Sequence, residues 1–100
     1  QRMIAARRSI EERVRAGHRD LLNSKRRLDA AQSGVDASLT QVRIGLLEYQ
    51  NGRTTAFEVV RLGADLAAAQ QRYSQALVRT AKAAAELRRL TSEGLPAGKD

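Results

Sequence analysis

Cysteine is absent from the 100 residues, so the chain can form neither a disulfide nor a thiolate metal site. Tryptophan is absent too, and aromatics make up 3%; with so few bulky apolar side chains, a compact globular core is hard to build. Proline occurs once, at Pro96, which leaves about 90 residues with no helix breaker stronger than glycine. No apolar run reaches about 18 residues, the length at which a helix can span a bilayer, and the start has no signal-peptide pattern. Histidine occurs once, at His18, without a second ligand beside it, so no metal site is expected. The acids Glu11, Glu12, Asp29 and Asp36 stand at helical spacing without a nucleophile or a glycine-rich loop. No catalytic residue, metal or other cofactor is expected, and the chain is not read as an enzyme.

Alanine supplies much of the 42% hydrophobic fraction, and alanine favours helix. The net charge of +7 is unevenly placed: residues 2–27 hold eight Arg and one Lys against three acids. Arg72, Arg79, Lys82, Arg88 and Arg89 follow in the second half against Glu86. Such a balance can serve a phosphate backbone. Here, however, the arginines are spread over several helix faces, acids are interleaved, and aromatics for base stacking are missing, so no nucleic acid is expected as a partner.

The apolar pattern is a heptad repeat. Ile10, Val14, Gly17, Leu21, Ser24, Leu28, Ala31, Val35, Ser38, Val42, Gly45 and Tyr49 follow one another in alternating steps of four and three. A second series runs Val59, Leu62, Leu66, Ala69, Tyr73, Ala76, Thr80, Ala83, Leu87, Leu90. The two are complementary when residues whose numbers sum to 104 are set opposite one another. Gly17 then meets Leu87, Leu21 meets Ala83, Leu28 meets Ala76, Ala31 meets Tyr73, Val35 meets Ala69, Ser38 meets Leu66 and Gly45 meets Val59, each a bulky residue against a small one. Ser24 with Thr80 is neutral, and Val14 with Leu90 and Val42 with Leu62 are large on large. A constant sum is the signature of an antiparallel hairpin, and its midpoint, residue 52, is glycine. The expected fold is all-α: a long antiparallel two-helix coiled-coil hairpin. A helix over 2–50, roughly 70 Å long, leads through a turn at 51–55 to a helix over 56–92, and 94–100 forms a flexible tail.

The turn carries its own signals. Gly52 can take the left-handed conformation that ends a helix, and Thr55-Ala56-Phe57-Glu58 reads as a capping box that starts the next. The faces away from the seam are not solvated in the usual Glu/Lys-rich way. Ala16, Ala30, Ala37 and Ile44 form a second stripe on the first helix, with Leu39 and Leu46 on another flank. On the second helix Phe57, Ala64, Val78 and Ala85, with Ala67 and Ala81, line the side away from the seam. These helices are prepared to touch other helices on more than one side, and the chain is read as a fragment of a larger helical assembly.

At the turn the residues become specific. Glu48-Tyr49-Gln50-Asn51-Gly52-Arg53-Thr54-Thr55-Ala56-Phe57-Glu58-Val59-Val60 resembles the Tyr-x-x-Gly-x-x-Thr/Ser-x-x-acid-Val-Leu segment of the TolC family of outer-membrane efflux channels. The Ala-rich stretch from Ala67 to Leu90 is similar to that family's returning helix, and residues 4–47 to its long incoming helix. The resemblance implies the C-terminal periplasmic hairpin of a homotrimer whose membrane β-barrel continues as an α-helical barrel across the Gram-negative periplasm. It implies docking of a periplasmic adaptor protein, and through it an inner-membrane transporter, at a tip formed by Asn51, Gly52, Arg53, Thr54 and Thr55. It implies a gate for export in which Tyr49 is the tip tyrosine and Glu58 a pore acid. The family's next pore acid falls on Arg61, a departure that sets a cation in the ring, and its tip basic residue falls on Thr54, beside Arg53. Two other readings are a periplasmic adaptor hairpin, whose tip Arg, Leu and Ser set is not found here, and a basic coiled coil that binds nucleic acid.

Overall fold

The computed structural model describes residues 2–94. The chain is an all-α helical hairpin: α1 spans Arg2–Gln50, α2 spans Ala56–Gly94, and no strand occurs among the described residues. The second helix thus runs on to Gly94 rather than stopping at Ser92; the rest of the expected tail, 95–100, lies outside the described residues. With no proline in either helix and so much alanine, propensity favours unbroken helix throughout. Glu58 in the first turn of α2 complements the positive end of its macrodipole.

Two compact units share the helices: a basal unit of Gln1–Arg26 with Val78–Asp100, and a turn unit of Arg27–Leu77. In the basal unit Ile10, Val14, Gly17, Leu21 and Ser24 are partly buried, as are Thr80, Ala83 and Leu87, and Leu90 is buried. The Thr80 hydroxyl donates to the Ser24 carbonyl at 3.2 Å, which joins two seam residues summing to 104. A Cβ placed on Gly17 would lie 3.3 Å from Cδ1 of Leu87, its expected partner.

In the turn unit the seam from Leu28 to Gly45 and from Val59 to Ala76 is buried or partly buried throughout, with Gly45 and Ala69 the most enclosed. The contact at Gly45 departs from the simple pairing. A Cβ there would come within 2.5 Å of Cδ1 of Leu62, and Val59 is not among its neighbours. The physical reason is knob-into-hole packing: a bulky side chain nests between successive residues of the facing helix rather than over one of them. Tyr49, expected as the last seam residue, is instead 49% exposed. Residues that could oppose it fall in the turn or the first turn of α2, where no settled helix face is available to cover it.

Two helices alone cannot enclose a core. Ala69 and Leu90 are the buried hydrophobic residues among those described. Ile44, Leu46, Leu47, Phe57 and Val60 in the turn unit, and Met3, Ile4 and Val78 in the basal unit, remain exposed. That exposure is the physical counterpart of the extra apolar stripes in the sequence.

The glycines give a stability test. A Cβ on Gly34 or Gly63 meets nothing within 4 Å, so Gly34→Ala and Gly63→Ala should each stabilise the hairpin by about 0.5–1 kcal/mol. Gly45→Ala receives the same helix gain but drives Leu62 from its position, an overpacking cost of about 1–3 kcal/mol, and should be net destabilising. Urea unfolding followed by circular dichroism distinguishes them; a Gly45→Ala chain as stable as Gly34→Ala would remove the close approach from the account.

Candidate functional site at the interhelical turn

The turn is closed by backbone geometry. Gly52 has φ +69°, the left-handed region that disfavours other residues. Its N–H donates to the Tyr49 carbonyl at 3.0 Å, and the Arg53 N–H donates to the Glu48 carbonyl at 2.8 Å. Together these bonds form a Schellman cap, which satisfies carbonyls left open at the end of α1. The Asn51 side-chain amide adds a bond to the Leu47 carbonyl at 3.0 Å. Asn51 is therefore occupied in ending the helix, whereas the Arg53 side chain is exposed and takes part in no ion pair.

Thr55 begins α2. Its hydroxyl accepts the Glu58 N–H at 3.2 Å, and its carbonyl accepts the N–H groups of Glu58 and Val59 at 3.1 and 3.3 Å. This is half of the expected capping box. The other half does not form: the Glu58 carboxylate turns to Arg61, with Nη2 at 2.6 Å and Nε at 3.1 Å. A bidentate, charge-assisted pair outcompetes a bond to a neutral backbone donor. Arg61 also reaches Asp65 through Nη1 at 3.1 Å, so this cation is held between two acids of its own helix. Hydrogen bonding from Arg61 keeps the Glu58 carboxyl below the usual carboxylate range, and the Glu58 bond raises Arg61 further. All three groups are exposed, so the arrangement is open to salt and contributes little to folding.

Of the residues singled out in the sequence, Thr54, Thr55, Glu58 and Arg61 are brought together. With Gln41, Ile44, Glu48 and Leu62 they line a shallow hollow of about 340 Å³. Tyr49 lies outside it. Asp65 lies outside the hollow and joins these residues through Arg61. The Glu-x-x-Arg-x-x-x-Asp spacing was a usable signal for Asp65, since i,i+3 and i,i+4 neighbours meet on a helix. The same spacing recurs at Glu86, Arg89 and Glu93, where Arg89 reaches Glu93 at 2.8 Å and also pairs with Glu86. Also unforeseen is how fully the flanks of the turn present apolar groups: Phe57 is 88% exposed and Val60 70%.

Among the described residues no group of His, Cys, Asp and Glu side chains is arranged to hold a metal, and neither helix is long and apolar enough to cross a membrane. Compared with protein-family models, with curated proteins and with solved structures, the chain matches none.

The Arg61 clasp has a pH signature. Because the Glu58 pKa is lowered in the folded state, its stabilising contribution is present above the ordinary carboxylate range and is lost as pH falls through the depressed value. A carboxyl-detected NMR titration should find Glu58 titrating below the ordinary carboxylate range, and Arg61→Gln should return it to that range. An unchanged Glu58 midpoint in that variant would mean the clasp does not form in solution.

Proposed function

We propose that this chain is the periplasmic α-hairpin of a trimeric outer-membrane efflux or secretion channel, a fragment of its larger α-helical barrel. Its turn docks a periplasmic adaptor protein, which couples the channel to an inner-membrane transporter. The observation that carries the reading is the turn: the residues that resemble the family's tip motif coincide with a Schellman-capped reversal at Gly52, flanked by exposed apolar side chains. The hairpin fold and the exposed apolar side chains of the turn unit, such as Ile44, Leu46 and Phe57, support the same reading, because a piece of a helical barrel must leave faces for its neighbours.

In this reading the chain is a structural and docking element and not an enzyme. Arg53, the free cation of the tip, and Thr54, on the rim of the hollow, meet the adaptor, while Asn51, Gly52 and Thr55 fix the backbone that presents them. Tyr49, exposed one turn before the glycine, contacts a neighbouring protomer at the gate in this reading. Glu58 and Arg61 act together: with Arg61 held by Glu58 and Asp65, the ring they contribute to the pore is of mixed sign.

The test is a cross-link in the full-length protein. Arg53→Cys should form a disulfide or a short bismaleimide link with cysteines placed at the tip of the cognate adaptor, and Arg72→Cys, well along α2, should not. Failure of Arg53→Cys to link to any adaptor tip under conditions where export proceeds would reject the docking role.

A further inference from the structure

The net charge of the protein belongs to one unit. The basal unit holds thirteen of the eighteen Lys and Arg residues and six of the eleven Asp and Glu, which gives +7; the turn unit holds five of each, which gives zero. Among the described residues of the basal unit, Arg89 is the one cation in an ion pair. The other described cations of this unit are exposed and form no ion pair.

Part of this charge is organised. Ile4, Arg8, Arg15, Leu22 and Lys25 fall on one α1 stripe beside the seam, in the same four-and-three rhythm, and every one of them is exposed. Glu11 and His18 complete the stripe, so Glu11 is its one acid. Arg88 of α2 joins this side, one turn from Thr91, which lines a hollow together with Glu11 and Arg15. That hollow, of about 740 Å³, has Met3, Ile10, Val14 and Leu90 as its apolar lining and also carries Arg7 and Glu93, the latter paired with Arg89. Met3 and Ile4 are 80% and 56% exposed, and Leu22 41%. Cations, exposed aliphatic side chains and an open apolar hollow thus share one flank.

We propose that this flank of the basal unit lies on an anionic phospholipid surface. Arg8, Arg15, Lys25 and Arg88 sit among the headgroup phosphates, their aliphatic stems along the interface, and Ile4 and Leu22 enter the headgroup–acyl boundary. The hollow takes part of an acyl chain. Duplex nucleic acid would satisfy the cations equally, but it gives the exposed aliphatic groups and the hollow no partner. The basal unit also contains no aromatic residue on which a base could stack. The proposal goes beyond the docking role of the turn and does not depend on it, since it concerns other residues and another partner.

Vesicle flotation of the intact chain tests it. Binding should be strong to vesicles that contain phosphatidylglycerol, absent from phosphatidylcholine alone, and weakened by salt. Arg8→Gln with Arg15→Gln should lower partitioning about fivefold per arginine removed, with helix content unchanged by circular dichroism, whereas Arg72→Gln in the turn unit should leave it as it is. A solvent-sensitive fluorophore on Leu22→Cys should shift to the blue on anionic vesicles, and the same dye on Leu47→Cys should not. Equal binding to both vesicle types, an equal loss with Arg72→Gln, an unshifted dye at residue 22, or displacement from anionic vesicles by duplex DNA at physiological salt would each overturn the proposal.

Discussion

The close approach of two helix backbones, made possible by setting small residues against large ones, is the constraint on which the structure rests. Neither helix has an apolar face broad enough to be stable alone in water, and helices of this kind draw most of their stability from packing. Gly17 admits Leu87 and Gly45 admits Leu62 because neither glycine carries a side chain at the contact. Ala69, another small seam residue, is buried. The consequence is a seam that specifies register well but buries little area. Register is therefore well specified while the core stays thin, with Ala69 and Leu90 the buried apolar residues among those described.

The turn follows from the same constraint. Register along both arms is referenced to the point at which the chain reverses, so the reversal has to be defined to the residue. Gly52 in the left-handed region and the two Schellman bonds define it at one end, and the Thr55 hydroxyl on the Glu58 N–H defines it at the other. Once those backbone groups are satisfied internally, Arg53, Phe57 and Val60 are left to face outward. The turn thus combines a backbone fixed by its own hydrogen bonds with outward apolar and cationic side chains. The Arg61 clasp adds a salt-sensitive feature on one flank without enclosing anything.

Much of this was legible in the sequence because it depends on periodicity and residue size. The four-and-three rhythm gave both helices, the constant sum gave the fold-back, and Ser24 with Thr80 and Gly17 with Leu87 meet where the pairing puts them. What sequence reasoning missed was decided by local competition and by helix ends. Periodicity carries Tyr49 into the seam, but periodicity does not know that the facing helix has not yet begun. A capping-box motif promises a reciprocal bond from Glu58, but the motif does not weigh a neutral N–H against the guanidinium of Arg61 three residues on. Likewise Gly45 was matched to Val59 by position, and the larger and better placed Leu62 took the contact. The functional reading rests on the turn motif and on the geometry that the turn adopts.

The fold-back itself can be tested directly with paired cysteines. In dilute solution Ser24→Cys with Thr80→Cys should oxidise rapidly to a disulfide within one chain, because those residues already touch across the seam. Ser38→Cys with Thr80→Cys, which occupies the same kind of seam position two heptads out of register, should not. Links that form only between chains, or form equally well in both pairs, would mean that the arms do not double back at Gly52, and the proposed docking role of the turn would fall with them.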